Sequence, residues 1–130
     1  MTLKIIILLM LIPITHAIDE GKKDSGFNRL SKLIKIVHYI DIALTVYFTH
    51  DYNQILLFIS IVFLWITFFN PTYNFVRKLG VLYVDGDNWY DDLWSLIKKK
   101  FGELPFKWAY LIALFTSFVF AIFLIYKAIN

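Results

Sequence analysis

The sequence predicts an all-helical integral membrane protein: a bundle of three spans, with a signal-like helix before it and an interfacial amphipathic helix in its central loop. Of the 130 residues, 59% are hydrophobic, whereas an ordinary soluble domain has about 45–50% apolar residues. The apolar residues are concentrated in runs near the length of about 20 residues that a bilayer requires. The chain has no cysteine, so disulfides and cysteine-ligated metals are excluded.

The start of the chain has the pattern of a secretory signal. Lys4 precedes an apolar run, and Thr15-His16-Ala17 is a small-x-Ala motif typical of cleavage after its last residue. The next residues are polar and basic and contain two glycines, which disfavour a helix. We therefore expect residues 1–17 to be a signal peptide or signal-anchor and residues 18–32 to be a linker. Residues 33–130 would form a single membrane domain.

The first predicted span, residues 34–49, is the most polar of the three. A mid-helix aspartate costs about 2.5–3.5 kcal/mol on the insertion scale, so this helix would insert poorly by itself. Its polar side chains follow three- and four-residue steps, which place them on one helical face. They are Lys35, His38, Asp41, Thr45 and Thr49. We expect this face to point into the bundle.

The second predicted span, residues 55–69, contains no charged residue, and its only hydroxyls belong to Ser60 and Thr67. A five-residue polar turn, His50 to Gln54, separates it from the first span. So short a connection favours an antiparallel hairpin that inserts as a unit, in which the second arm offsets the poor insertion energy of the first.

The third predicted span, residues 108–126, is the clearest. It contains no charge and lies between Lys107 and Lys127. Aromatic residues near both ends are typical of membrane interfaces. Thr116 and Ser117 supply its hydroxyl groups.

The loop between the last two spans contains further predicted elements. Asn70-Pro71 has the pattern of a helix start, with a short helix ending near Leu79, and residues 81–84 are a brief β-like run. Residues 88–101 then predict an amphipathic helix with two aspartates in the first turn and Lys98-Lys99-Lys100 in the last, which complements the helix dipole. The three lysines either contact anionic lipid headgroups or form a solvated helix end.

The basic residues predict an orientation that conflicts with the signal motif. Residues 18–32 carry four Lys or Arg and residues 70–107 carry six, whereas residues 50–54 carry none. The positive-inside rule places both basic segments in the cytoplasm, with the short turn and the C-terminus outside. Cleavage after Ala17 would deliver the first basic segment to the outside. Either residues 1–17 are an uncleaved anchor with the N-terminus outside, or the bundle is inverted; we give the charges more weight.

The chemistry-bearing residues do not indicate an enzyme, a cofactor or a metal. There is no glycine-rich phosphate loop or nucleophile motif, and the three histidines lie on separate elements without ligand spacing. His38 and Asp41, three residues apart, have the arrangement of a proton relay or ion site. A pair that snorkels to the interface or bonds a neighbouring helix is the more ordinary interpretation. The aromatic residues lie in or beside the spans, so we expect no nucleic-acid partner.

Four features carry a family resemblance. Leu44-Thr45-Val46-Tyr47 precedes the polar turn, Pro71 follows the second span, Gly86-Asp87-Asn88-Trp89-Tyr90 lies in the central loop, and Lys127 ends the last span. From about residue 33 onward, the chain resembles the small three-span immunity proteins that protect bacteria against pore-forming colicins. This resemblance implies a bacterial inner-membrane protein that binds the toxin's pore-forming domain within the bilayer and needs no catalytic group.

On this hypothesis, the toxin contacts are the polar side chains inside the spans, and the outer turn, His50 to Gln54, contributes specificity. They are His38, Asp41, Thr45, Ser60, Thr67, Thr116 and Ser117. The candidate lipid contacts are Lys98, Lys99 and Lys100. Two other functions stay open: a small structural subunit of a secretion or conjugative-transfer assembly, and a holin-like pore former.

Overall fold

Within residues 2–83 and 89–130, which the computed structural model describes, all regular structure is helical. The helices are α1 (Thr2–Asp24), α2 (Asn28–Thr49), α3 (Gln54–Val76), α4 (Trp89–Phe101) and α5 (Glu103–Ile129). The predicted all-helical class is therefore confirmed. By length and composition, α3 and α5 are apolar enough to cross a membrane.

The α1 helix runs without interruption through the predicted cleavage site. Ala17 is fully buried in the middle of the helix, and the helix continues through Gly21 to Asp24. Gly21 is the point at which α1 approaches α3, because a Cβ atom there would lie 2.9 Å from Cγ1 of Val76. The expected linker at residues 18–32 is therefore largely helical, and only a short turn at Gly26, with φ of 81°, separates α1 from α2.

The four long helices pack side by side in the order α2, α1, α3, α5. The α1 helix is antiparallel to α2 and parallel to α3, and α5 is antiparallel to α3. The predicted hairpin of spans 34–49 and 55–69 is wrong, because α1 lies between α2 and α3. The short turn joining them is tied instead to the end of α5, where the Asn53 N–H donates to the Ala128 carbonyl at 3.3 Å.

A buried apolar cluster joins α1, α3 and α5 at the N-terminal end of α1. It contains Ile5, Leu9, Leu57, Leu64, Ala121, Ile125 and Ala128. Ile5 and Leu9 are each 1% exposed, so the signal-like segment contributes directly to the core. Close packing of this kind is the main attraction between helices wherever the surroundings are themselves apolar.

The α3 helix is longer than the predicted span 55–69 and contains Pro71. The separate helix expected from Pro71 to Leu79 is therefore absent, because the chain continues the helix through the proline instead of restarting there. Beyond the helix, the Asn74 amide donates to the Tyr83 carbonyl at 2.8 Å and holds the following turn. Residues 81–83 form no strand, and Val84 lies outside the described residues.

The α4 helix covers the predicted 88–101 segment apart from Asn88, which lies outside the described residues. Its first turn carries two aspartates and its last turn three lysines, as expected. Trp94 packs on the first turns of α5, with ring centroids 6.2 Å from Phe106 and 4.9 Å from Tyr110. Only Gly102, with φ of 88°, separates α4 from α5. The α5 helix therefore begins at Glu103, before the predicted span that starts at Trp108.

Candidate functional site

The face that α2 buries is entirely polar. The buried residues of this helix are Ser31, His38, Asp41, Thr45 and Thr49. Large apolar side chains of α2 point outward, among them Leu33 (61% exposed) and Ile36 (56% exposed). This is the reverse of a surface helix in a water-soluble protein, which turns its apolar stripe to the core and its polar face to water.

Two hydrogen bonds join the polar face of α2 to α1. Thr15 Oγ1 lies 2.8 Å from Nδ1 of His38, and the Ser31 hydroxyl donates to Oδ1 of Asp19 at 2.5 Å. All four side chains are buried. Antiparallel packing of α1 and α2 brings both pairs together. Hydrogen bonds, in addition to close packing, therefore determine how the two helices are aligned.

The imidazole of His16 lies between helices α1, α2 and α3. Its ring centroid is 5.3 Å from His38, 5.0 Å from Trp65 and 5.5 Å from Phe69. The spacing of the histidines did not predict that two of them meet, because His16 belongs to the predicted cleavage motif. The third, His50, is exposed and lies 3.1 Å from Oδ1 of Asp51. The described residues contain no group of three or more metal-ligating side chains.

Asp41, on the polar face of α2, is buried without a hydrogen-bond partner in the described part of the chain. Its side chain is buried, with 5% exposure, and neither carboxylate oxygen has a hydrogen-bond partner among the described residues. The hydroxyl of Thr45, one turn further along α2, is buried and unpartnered as well. Burying a polar group without a partner is costly, and an isolated charge costs more. These two side chains therefore form a buried polar site whose hydrogen-bonding capacity is unused.

Lys35 does not belong to the buried stripe, although its spacing predicted that it would. Its side chain is exposed, and Ser31 occupies the corresponding place one turn earlier. A lysine side chain is long enough to carry its ammonium out of a helix contact into polar surroundings. Lys35 therefore supplies no positive charge beside Asp41 on the buried face.

The other predicted contact residues do not join this stripe. Ser60 is fully buried and donates to the Leu57 carbonyl of its own helix at 2.7 Å. Thr67 donates to Phe63 at 2.9 Å and lies 3.4 Å from the Leu114 carbonyl of α5. Thr116 is exposed and Ser117 is half-buried. The seven predicted side chains thus lie on three different helices, α2, α3 and α5.

The lysines at the end of α4 are exposed. Nζ of Lys98 lies 3.0 Å from Oε2 of Glu103, and Lys107 lies 3.3 Å from the other carboxylate oxygen. Such exposed pairs contribute little to stability. Lys98 therefore has an acidic partner already, while Lys99 and Lys100 form no ion pair within the described part of the chain.

The helix directions bring both basic segments to one end of the bundle. The turn after α1, the end of α3 and the start of α5 lie together there, because α1 and α3 run in the same direction and α5 is antiparallel to α3. The Asn70 amide is 3.5 Å from Oδ1 of Asp91 across this end. Lys4 and Lys127 lie at the opposite end of the bundle, and Lys35 lies in the first half of α2.

Comparison with known proteins finds no matching family model, no matching curated protein and no matching solved structure. Of the segments that carry the family resemblance, residues 86–88 lie outside the described residues. Pro71 and Lys127 lie inside α3 and α5, respectively.

Proposed function

We propose that this chain is a multi-pass protein of the bacterial inner membrane with four membrane helices, α1, α2, α3 and α5. The observation that carries the proposal is the reversed polarity of α2, which buries polar residues and exposes apolar ones. In water this arrangement would be unfavourable on both faces, whereas hydrocarbon surroundings favour it. The α1 helix joins the three spans expected from the sequence because it covers the polar face of α2.

The length of α1 supports its role as a span. Its 23 residues extend about 34 Å at 1.5 Å per residue, which exceeds the hydrocarbon thickness of about 30 Å. Retaining the helix also removes the conflict between charge and signal motif. Both basic segments then lie in the cytoplasm, as the positive-inside rule requires, and both chain ends lie outside.

We propose further that the protein acts by binding another protein within the membrane and is not an enzyme. The unused hydrogen-bonding capacity of Asp41 and Thr45 supports this, because polar side chains join helices inside a bilayer. Because α1 covers Asp41, a partner helix would reach this carboxylate by displacing α1 from α2, and a hydrogen-bond donor on that helix would satisfy a group that α1 leaves unpaired. Following the family resemblance, we propose a pore-forming bacteriocin as that partner and immunity as the function.

The immunity proposal is tested by co-expression with a toxin encoded beside the gene, with survival and membrane potential as readouts. We expect the wild-type chain to protect and Asp41→Ala to lose protection at an equal amount of membrane-inserted protein. Asp92→Ala is the matched control, since Asp92 is an exposed aspartate of α4 and does not belong to the proposed contacts. Survival no better than with an empty vector would refute immunity to that toxin. Growth arrest without toxin would instead favour a pore former, and a need for neighbouring gene products would favour a structural subunit.

The arrangement in the membrane is tested by reporter fusions. A cytoplasmic reporter at Asp87 with external reporters at the N-terminus and at Asn130 is expected for four spans. An external reporter at Asp87 would refute the proposed orientation and support cleavage after Ala17.

A further inference from the structure

A groove with a volume of about 830 Å³ lies between the second half of α1 and the end of α3. Its wall is mainly apolar and is formed by Ile18, Phe75, Val76 and Leu79 together with Thr72. Its two basic side chains are Lys22 and Lys78. This volume falls within the range of about 300–1,000 Å³ that is usual for small-molecule sites. The groove lies at the end of the bundle where the basic segments meet.

Lys78 occupies an unusual backbone position at this groove. It follows α3 with φ of 60°, in the left-handed region that disfavours residues with a Cβ atom. The Lys78 N–H donates to Phe75 at 3.0 Å and the Leu79 N–H donates to Asn74 at 2.9 Å. This is the hydrogen-bond pattern of a Schellman cap, whose left-handed position is normally a glycine. The chain thus holds an ammonium group at the groove where a glycine would be less strained.

Neither groove lysine is neutralised within the described part of the chain. Lys22 Nζ lies 5.2 Å from the centroid of the Phe27 ring, and no ion pair is formed by Lys22 or Lys78. The nearby acidic groups have other partners: Asp24 accepts a hydrogen bond from the Tyr73 hydroxyl, and Glu20 lies 3.6 Å from Lys23. Two positive charges therefore stand beside an apolar wall with no counter-ion among the described residues.

We propose that this groove binds an anionic phospholipid, with the phosphate between Lys22 and Lys78 and an acyl chain along the wall that includes Phe75. The proposal rests on the proposed membrane insertion. Basic pockets between membrane helices on the cytoplasmic side are suited to anionic headgroups. The apolar wall distinguishes a lipid from free phosphate, which has no group to place against it. This site is distinct from the lysine run on α4.

The test measures binding of fluorescent phosphatidylglycerol to the purified full-length chain in a neutral detergent, with fluorescent phosphatidylcholine as the uncharged comparison. The variant Lys22→Gln/Lys78→Gln is compared with Lys32→Gln/Lys35→Gln, which removes the same net charge from exposed positions of α2. We expect the groove pair to weaken phosphatidylglycerol binding about 30-fold, which is roughly 2 kcal/mol at about 1 kcal/mol per lysine. The α2 pair should change it little.

Equal weakening by both pairs would overturn the proposal, because the attraction would then be diffuse. Competition by inorganic phosphate as strong as that by unlabelled phosphatidylglycerol would overturn it too. Lys78→Gly controls for loss of binding through misfolding, because it removes the charge and also relieves the left-handed backbone strain at this position. We expect weaker lipid binding in a chain at least as stable as the wild type. Alkaline carbonate extraction of membranes separates the two proposals: release of the wild-type chain refutes membrane insertion, whereas retention with no effect of the groove lysines refutes only the lipid site.

Discussion

Replacing Asp41 by alanine should stabilise this protein, although the residue is buried in the contact between α1 and α2. Both carboxylate oxygens lack a hydrogen-bond partner among the described residues, so alanine removes an unfavourable group and breaks no described bond. An unsatisfied buried polar group costs about 1–3 kcal/mol. We therefore expect Asp41→Ala to raise the free energy of unfolding by about 1–3 kcal/mol.

Asp19 is the matched control for this prediction. It is buried to the same degree as Asp41, at 4% against 5% exposure, but it accepts a hydrogen bond from Ser31 at 2.5 Å. Alanine at Asp19 leaves the Ser31 hydroxyl without that partner, so Asp19→Ala should lower the free energy of unfolding by about 1–3 kcal/mol. The two substitutions remove the same chemical group from two buried positions and are expected to act in opposite directions.

The assay is reversible unfolding of the purified chain in mixed micelles of neutral and denaturing detergent, followed by tryptophan fluorescence and helical circular dichroism. The midpoint should move to more denaturing detergent for Asp41→Ala and to less for Asp19→Ala. If Asp41→Ala destabilises the chain as strongly as Asp19→Ala, the Asp41 carboxylate has a stabilising partner in the folded protein. The proposal that it is available to a second protein would then fail.

Three further predictions concern α1 and the end of α3. Gly21→Ala should destabilise the protein by about 1 kcal/mol, because the new Cβ would lie 2.9 Å from Cγ1 of Val76. Adding Val76→Ala to the same chain should restore stability. A higher unfolding midpoint for Gly21→Ala would contradict the close approach of α1 to α3. Lys78→Gly should raise the free energy of unfolding by about 1 kcal/mol by relieving the left-handed backbone, as measured by the same detergent titration. The intact mass of the chain extracted from membranes should include residues 1–17, and a mass corresponding to cleavage after Ala17 would refute the four-helix arrangement.

The polar face of α2 was accessible from sequence alone because helical periodicity is a local property. Steps of three and four residues place His38, Asp41 and Thr45 together whatever the rest of the chain does. The same pattern failed for Lys35, whose side chain is exposed although its spacing places it on this face. The charges at the ends of α4 were likewise predictable, since the helix dipole acts within a single turn.

The residues that complete the site could not be predicted in the same way. The contact between Thr15 and His38 joins positions 23 residues apart, and the meeting of His16 with Trp65 joins α1 to α3. Periodicity shows that a face needs polar partners but does not identify the helix that supplies them. The short turn after α2 favoured α3 as its neighbour, whereas the folded chain places α1 there.

The sequence by itself determined the helical class, the apolar segments, the polar stripe of α2 and the distribution of basic residues, because each depends on composition or on spacing within one helix. Only the tertiary structure decided that α1 is a core helix between α2 and α3, that α3 continues through Pro71, and that Lys22 and Lys78 share a groove. These features depend on which surfaces pack best between distant segments. A signal-like pattern and a core helix have the same local sequence, and their difference lies in the contacts that Ile5 and Leu9 make with the rest of the chain.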